Sequence, residues 1–287
     1  MALIAVAGSS GAPGATTTAL ALMSTWPLEP GYRVILAECD PDGGDVVVGA
    51  LAGRTPGGYG MRNLALAART NQLSDAFWRQ LIDLSETEAQ DRLLLPGLTD
   101  PAQASSMQYA WNPLTDLLLG IEHTTPSHDV IADLGRHGGT GPSSALVRRA
   151  DLVLVVVRST LRGVYLAEPR VRALVEDLEA HGTGQDALQL LVVRSGPYSA
   201  GEVADRLGVP VLAELPDDPR AAAVLSDGDD AGRRFPRSDL MRHAASAADR
   251  VRAQVTRRRV RLAPRSANPP AHPASAASNQ ERISHAG

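Results

Sequence analysis

Short, uniformly apolar runs alternate with longer amphipathic stretches along the chain. A run that is apolar at every position indicates a strand covered on both faces, and strands that alternate with helices are typical of βαβ units. The pattern therefore predicts an α/β fold of three layers, αβα, around a mostly parallel, doubly wound sheet of about seven strands. The predicted strands are Leu3–Ala7, Arg33–Ala37, Arg92–Leu95, Asp129–Asp133, Leu152–Val157, Leu188–Val193 and Val211–Leu215.

The amphipathic stretches between these runs predict the helices. They lie at Thr16–Ser24, Met61–Arg69, Leu73–Leu84, Ala102–Leu119, Leu161–Ala180, Ala200–Leu207 and Pro219–Ser226. A last helix is expected from Ser238 to Val260. Residues 1–262 are thus predicted to form one domain. Residues 263–287 are rich in Pro, Ala, Ser and Asn and cannot bury enough apolar surface to fold, so we expect a disordered tail.

Composition excludes several kinds of site. A single cysteine, Cys39, rules out an intramolecular disulfide and a cysteine-based zinc site. No apolar run approaches the roughly 20 residues that span a bilayer, and no basic leader precedes the first apolar stretch, so we expect a cytoplasmic protein. The net charge of −4 gives no general attraction to nucleic acid. All 28 Lys and Arg residues are arginine, so no mechanism of this chain can use a lysine.

The first predicted strand leads into a glycine-rich loop. The loop has a glycine at every third position, at Gly8, Gly11 and Gly14. The helix that follows begins with Thr16-Thr17-Thr18. Glycines let backbone N–H groups turn toward an anion, and the helix N-terminus adds partial positive charge. A threonine just after such a loop is where P-loop proteins place a hydroxyl that binds Mg²⁺. The segment therefore predicts a phosphate-binding loop.

This segment resembles the deviant phosphate-binding loop K-G-G-x-G-K-T-T of the ParA/MinD ATPases, which are SIMIBI-type P-loop NTPases. The resemblance implies that the matching residues bind the nucleotide and that Thr16 also binds Mg²⁺. Ser10 replaces the signature lysine of the family, and Ala15 replaces the lysine that grips the phosphates. The matching residues are Ser10, Gly11, Ala12, Pro13, Gly14, Ala15, Thr16 and Thr17.

Other segments extend the resemblance from about Ala2 to Arg258. Glu38-Cys39-Asp40-Pro41 resembles the family's D-x-D-P segment, which implies that Asp40 positions the attacking water and that Glu38 replaces the first aspartate. Asp133 ends a strand that resembles the Walker B strand and would hold the water shell of Mg²⁺. Arg194 ends a strand where the family usually has an asparagine that reads adenine. A guanidinium cannot accept the hydrogen bond of the adenine amino group.

The resemblance implies a homodimer that binds ATP or ADP with Mg²⁺ and works with a protein partner. Its processes would be chromosome partitioning, septum siting or the localisation of a pilus or secretion system. Members with eroded loops resemble the CpaE/TadZ-like proteins of pilus systems. Because charge-assisted hydrogen bonds contribute about 1.5–3 kcal/mol each, losing both lysines should weaken nucleotide binding on the order of 10²–10⁴-fold. Hydrolysis should suffer more, since positive charge stabilises the phosphoryl transition state.

Two alternative functions stay open at this point. The chain could be an active ATPase in which an arginine replaces the loop lysine, and Arg136, close after Asp133, is the nearest candidate in sequence. The spacing Gly8-x-x-Gly11-x-x-Gly14 with an acidic residue after the next strand also fits an NAD(P)-binding Rossmann oxidoreductase. Reductases with this spacing generally use a Tyr-x-x-x-Lys pair, which a chain without lysine lacks.

The last predicted helix raises the question of membrane association. MinD-type proteins bind membranes through a C-terminal amphipathic helix. Here the apolar stripe consists mainly of alanine and valine, without the Phe or Trp that anchor such a helix, and Arg257–Arg261 close it. We interpret this segment as a closing helix whose arginines complement its dipole. The stripe comprises Leu240, Ala244, Ala247, Val251 and Val255.

Overall fold

The computed structural model describes residues 2–9, 14–54, 58–85, 87 and 89–263. The strands found there are β1 (Leu3–Ala7), β2 (Tyr32–Glu38), β3 (Ile82–Asp83), β4 (Arg92–Leu95), β5 (Ser127–Asp133), β6 (Leu152–Arg158), β7 (Leu188–Arg194) and β8 (Val211–Pro216). The α-helices are α1 (Ala15–Thr25), α2 (Met61–Arg69), α3 (Leu73–Arg79), α4 (Trp111–Gly120), α5 (Ser144–Arg149), α6 (Leu161–His181), α7 (Ala200–Leu207), α8 (Pro219–Ser226) and α9 (Asp239–Leu262). The predicted disordered tail, apart from Ala263, lies outside the described residues.

The strands form one sheet in the order β3-β4-β2-β5-β1-β6-β7-β8. Strand β3 pairs antiparallel with β4, and the other pairings are parallel. Strand β1 lies between β5 and β6, so the chain winds outward from it in both directions. Ligands of such doubly wound sheets bind at the carboxyl ends of the strands, near this point of reversal.

Helices cover both faces of the sheet. Helices α1, α8 and α9 pack on one face, against side chains such as Ile4 and Val6. Helices α2 to α7 pack on the other face, against Leu3 and Ala5. These four side chains are buried, as expected for a strand that is apolar at every position. The three-layer αβα architecture is confirmed.

Two predicted helices were wrong in extent. Helix α3 ends at Arg79, and Ile82–Asp83 pairs as the edge strand β3 with β4. The stretch predicted as Ala102–Leu119 splits into a 3₁₀ helix, Pro101–Met107, and α4. Pro113 lies in the first turn of α4, where proline is favoured because its missing N–H would have no intrahelical partner there. Helix α5 has six residues, too few for a clear helical period.

The apolar stripe of α9 lies inside the protein. Its predicted positions are buried in the cluster that α9 shares with α1 and α8. Arg258, only 4% exposed, donates from Nε to Asp186 at 2.9 Å and from its two Nη atoms to the carbonyls of Asp151 and Thr183 at 3.2 and 2.6 Å. The stripe thus serves core packing. No helix among the described residues is long and apolar enough to cross a membrane.

We expect Arg258→Ala to lower the free energy of unfolding by about 2–3 kcal/mol, because it leaves buried acceptors without their charged donor. Urea denaturation measures the change. Arg257→Ala is the matched control: this arginine is exposed, donates to Gln254 at 2.8 Å, and its loss should cost less than about 0.5 kcal/mol. Equal losses in the two variants would contradict the role of Arg258.

Candidate functional site

The predicted metal residues Thr16 and Asp133 meet at the carboxyl edge of the sheet. Thr16 lies in the first turn of α1 and Asp133 ends β5. The Thr16 hydroxyl lies close enough to the Asp133 carboxylate to lower its pKa, and this carboxylate accepts the Gly135 N–H at 3.0 Å. Hydroxyl and carboxylate oxygens are ligands that suit Mg²⁺ or the water around it. This pair therefore fits the predicted Mg²⁺ site.

Asp133 is 2% exposed, and burial raises its pKa to about 6, with the charges of Asp40 and Asp45 adding to the rise. The nearby Thr16 hydroxyl and the hydrogen bond from Gly135 lower this pKa in part. When burial makes a carboxyl group costly to ionise, a nearby cation strongly stabilises its ionised form. A divalent ion at this position would therefore stabilise the ionised form of Asp133.

Asp40, the predicted water-positioning residue, is held between two loops. Its Oδ1 accepts the N–H of Asp42 and its Oδ2 accepts the N–H of Arg136, both at 3.0 Å. Gly135 has a φ of +52°, and a Cβ there would lie 1.6 Å from Oδ2 of Asp40, so the approach requires glycine. Desolvation raises the pKa of Asp40. Asp40 and Asp133 thus lie on the same edge of the sheet.

Glu38 has a position that sequence reasoning missed. Its carboxylate is 3% exposed, and its two oxygens accept the N–H groups of Val46 at 3.0 Å and Gly97 at 3.1 Å. Burial raises its pKa to about 7. Glu38 therefore ties the segment after β2 to the segment after β4. The only signal in the sequence was the substitution of glutamate for the first aspartate of the motif.

Four of the predicted nucleotide-binding residues, Ser10, Gly11, Ala12 and Pro13, lie outside the described residues. The next four, Gly14, Ala15, Thr16 and Thr17, lead into α1 and form its first turn. Gly14 offers no side-chain cap, and no acidic residue lies in this turn. The first N–H groups of a helix lack intrahelical partners and suit an anion.

Beside the first turn of α1 lies a recess of about 150 Å³. Arg158 from the end of β6 lines it, and Nη2 of Arg158 lies 3.8 Å from Oδ1 of Asp217. Arg194, predicted at the base of the nucleotide, is exposed, with Nη2 3.5 Å from Nε2 of His243. The full lining is Gly14, Thr17, Thr18, Arg158, Val193, Leu215, Pro216, Asp217, Asp218, Ala222 and Leu240.

Two buried polar atoms flank this region without a partner among the described residues. They are Oγ of Ser9, in the glycine-rich loop, and Nε of Arg158. Most buried polar atoms in folded proteins have a hydrogen-bond partner, so these two atoms are available to hydrogen-bond a ligand. Together with the uncapped start of α1 they fit the oxygens of a phosphate group. Arg136 lines a different cavity, of about 470 Å³, with Tyr165 and Arg170.

Comparisons with known proteins point to one fold. No protein-family model matches the chain, and no curated protein matches its sequence. A ParA family ATPase from Chlorobium tepidum superposes with a TM-score of 0.68 and 15% identity, covering 86% of this chain and 97% of its own.

Two MinD structures are also similar. MinD from Pyrococcus horikoshii, complexed with Mg-ADP, has a TM-score of 0.61 and 16% identity, covering 90% and 99% of the two chains. MinD in the MinC:MinD complex from Aquifex aeolicus superposes with a TM-score of 0.63 and 17% identity, covering 88% of this chain and 96% of its own. Identities this low show the fold alone. The chain therefore has the fold of the ParA and MinD P-loop ATPases.

Proposed function

We propose that this protein is a spatial regulator of the ParA/MinD type whose nucleotide site is degenerate. It would bind Mg-ATP or Mg-ADP weakly, hydrolyse ATP slowly or not at all, and act through dimerisation and a protein partner. The observation that supports this best is the position of the Thr16 hydroxyl next to the Asp133 carboxylate, beside the uncapped start of α1. The processes served would be chromosome partitioning, septum siting or the localisation of a pilus or secretion system.

Charge at the site supports the weakness of binding. The carboxylates of Asp40 and Asp133 lie at one edge of the sheet, and the chain contains no lysine to offset them. A nucleotide polyphosphate would meet these carboxylates, so its binding depends on the charge that Mg²⁺ supplies. Catalysis depends on positive charge even more, because the phosphoryl transition state is stabilised mainly by it. Asp40 would then position a water molecule at a site that stabilises the transition state of ATP hydrolysis only weakly.

The similar structures suggest what kind of regulator this is. The Pyrococcus horikoshii MinD was solved with Mg-ADP, and the Aquifex aeolicus MinD was solved with MinC. By analogy of fold, we propose a homodimer with a protein partner in the cytoplasm. Membrane association through α9 has little support, since the apolar stripe of that helix is buried. The Rossmann oxidoreductase is the weaker alternative, because a dinucleotide site has no need of the Thr16–Asp133 pair.

We expect calorimetry to detect weak binding of ATP and ADP that requires Mg²⁺, and no binding of NADH. Thr16→Val serves as the matched variant: valine keeps the shape of threonine but lacks the hydroxyl beside Asp133, so the Mg²⁺ requirement should be lost together with most of the affinity. Binding of NADH in place of ATP would favour the oxidoreductase. No binding of ATP at millimolar concentration would contradict the nucleotide-dependent part of the proposal.

A further inference from the structure

We infer that Arg158 is the cation that binds the phosphate chain of the nucleotide in this protein, in place of the missing loop lysine. The inference rests on the proposed function, because it assumes that a nucleotide binds at the start of α1. It assigns a role to a residue that no motif of the chain marks. The role of the substitute cation, which sequence proximity had suggested for Arg136, is thereby assigned to Arg158 because of its position in the fold.

Strand pairing brings Arg158 to the glycine-rich loop. Strand β6 runs parallel to β1, with Ala7 opposite Val155, and Arg158 ends β6 three residues further on. The Arg158 side chain lines the recess together with Gly14 and Thr17 from the start of α1. A cation and a helix N-terminus therefore face the same small volume, and both attract anions.

The Arg158 side chain is only partly satisfied by the protein. Its Nε is buried and has no hydrogen-bond partner within the described residues. Its Nη2 lies 3.8 Å from Oδ1 of Asp217, which is longer than a hydrogen bond. The side chain is 33% exposed, so a ligand can reach it. A guanidinium has five N–H donors in a fork that matches two phosphate oxygens, and a bound phosphate would supply the missing acceptors.

Other arginines near the site are placed differently. The Arg136 side chain lines the separate 470 Å³ cavity, as does Arg170, whose Nη2 donates to the Gly138 carbonyl at 2.5 Å. Arg194 lies beside His243 on α9. None of these three belongs to the lining of the recess at the start of α1. Arg170 also has a buried Nε without a partner among the described residues, but it lines the other cavity and lies near Asp40. Arg158 is the arginine that lines the recess at the start of α1, and this position is the basis for assigning it to the phosphates.

Asp217 competes with the nucleotide for this arginine. Its side chain is 36% exposed and belongs to the same recess, so its charge attracts Arg158 and repels phosphate. Removing the Asp217 charge should therefore strengthen nucleotide binding, whereas removing the Arg158 charge should weaken it. Two neighbouring substitutions with opposite effects cannot both be explained by damage to the fold.

The test is calorimetric titration of the full chain and four variants with Mg-ATP and Mg-ADP. We expect Arg158→Ala to raise Kd roughly 10- to 100-fold, as the loss of charge-assisted hydrogen bonds implies, and Arg158→Lys to raise it less. Asp217→Asn should lower Kd several-fold. Arg257→Ala, an exposed arginine of α9 outside the recess, is the control and should stay within about 3-fold of the wild type. Nucleotide-induced shifts in thermal unfolding temperature, measured on the same proteins, give a second readout of binding.

Two results would overturn the inference, and they differ in what else they contradict. If the wild type binds Mg-ATP and Arg158→Ala binds it equally well, Arg158 is not the phosphate ligand while the proposed function stands. If the wild type binds no nucleotide at all, the inference and the nucleotide-dependent part of the proposed function fall together. A loss of affinity in Asp217→Asn would also contradict the competition between Asp217 and phosphate.

Discussion

Replacing Ala15 by lysine is expected to raise the affinity for Mg-ATP by about 10- to 100-fold. Ala15 is the first residue of α1 and matches the phosphate-gripping lysine of the ParA/MinD loop. A lysine there would add a charge-assisted interaction worth about 1.5–3 kcal/mol at an edge where Asp40 and Asp133 repel phosphate. Turnover should rise by a larger factor, because this charge acts on the transition state as well. Calorimetry and phosphate release measure the two effects.

Ala15→Met is the matched control for this gain. Methionine has nearly the length of lysine without its charge, so this variant should bind Mg-ATP no better than the wild type. Adding Ser10→Lys to Ala15→Lys should bring the total gain in affinity to the order of 10²–10⁴-fold, the reverse of the loss expected from both absent lysines. If Ala15→Lys bound no better than Ala15→Met, the loop would not be a phosphate site.

The sheet could be predicted from sequence because its strands are buried on both faces. Each of the seven predicted strands matches an observed strand within two residues at either end. Glu38 lies opposite Asp133, because the carboxyl ends of parallel strands meet at one edge of the sheet. Strand β3 was missed because it has two residues, and its order comes from pairing with β4 rather than from its own pattern.

The parts of the site that were not predicted depend on contacts across the sequence. The partners of Glu38 are the N–H groups of Val46 and Gly97, and a backbone donor carries no signature in the sequence. Arg158 meets Gly14 and Asp217 in the recess because β6 lies beside β1 and β7 beside β8. Neither strand order nor side-chain direction can be read from a motif. Nearness in sequence therefore pointed to Arg136, and strand topology points to Arg158.

We expect the stability of this protein to fall as pH rises through neutrality, with Glu38 as a main cause. Burial raises the pKa of Glu38 from 4.5 to about 7, so the folded state holds a proton that the unfolded state has lost. The stabilisation is fully present below pH 4.5 and is lost as pH rises through 7. A shift of this size corresponds to about 3 kcal/mol. Asp133, with a pKa of about 6, acts in the same direction.

His128 acts in the opposite direction at lower pH. Burial lowers its pKa from 6.5 to about 4, so its contribution is present above pH 6.5 and is lost as pH falls through 4. Over about pH 4 to 6.5 the gain from His128 therefore offsets part of the loss from the two acids. Because Asp133 and His128 are present in both the wild type and Glu38→Gln, the difference between these two proteins reports the Glu38 contribution together with its electrostatic interaction with Asp133.

The measurement is urea denaturation of the wild type and Glu38→Gln at several pH values between 4.5 and 8. Near pH 4.5 both proteins carry a neutral side chain at position 38. As pH rises to 8 only the wild type has to bury a charge, so Glu38→Gln should gain about 3 kcal/mol relative to it. Glu214→Gln, an exposed position on β8, is the control and should show no such gain. A constant difference between Glu38→Gln and the wild type across this range would mean that Glu38 stays ionised in the fold, and that its hydrogen bonds from Val46 and Gly97 outweigh its burial.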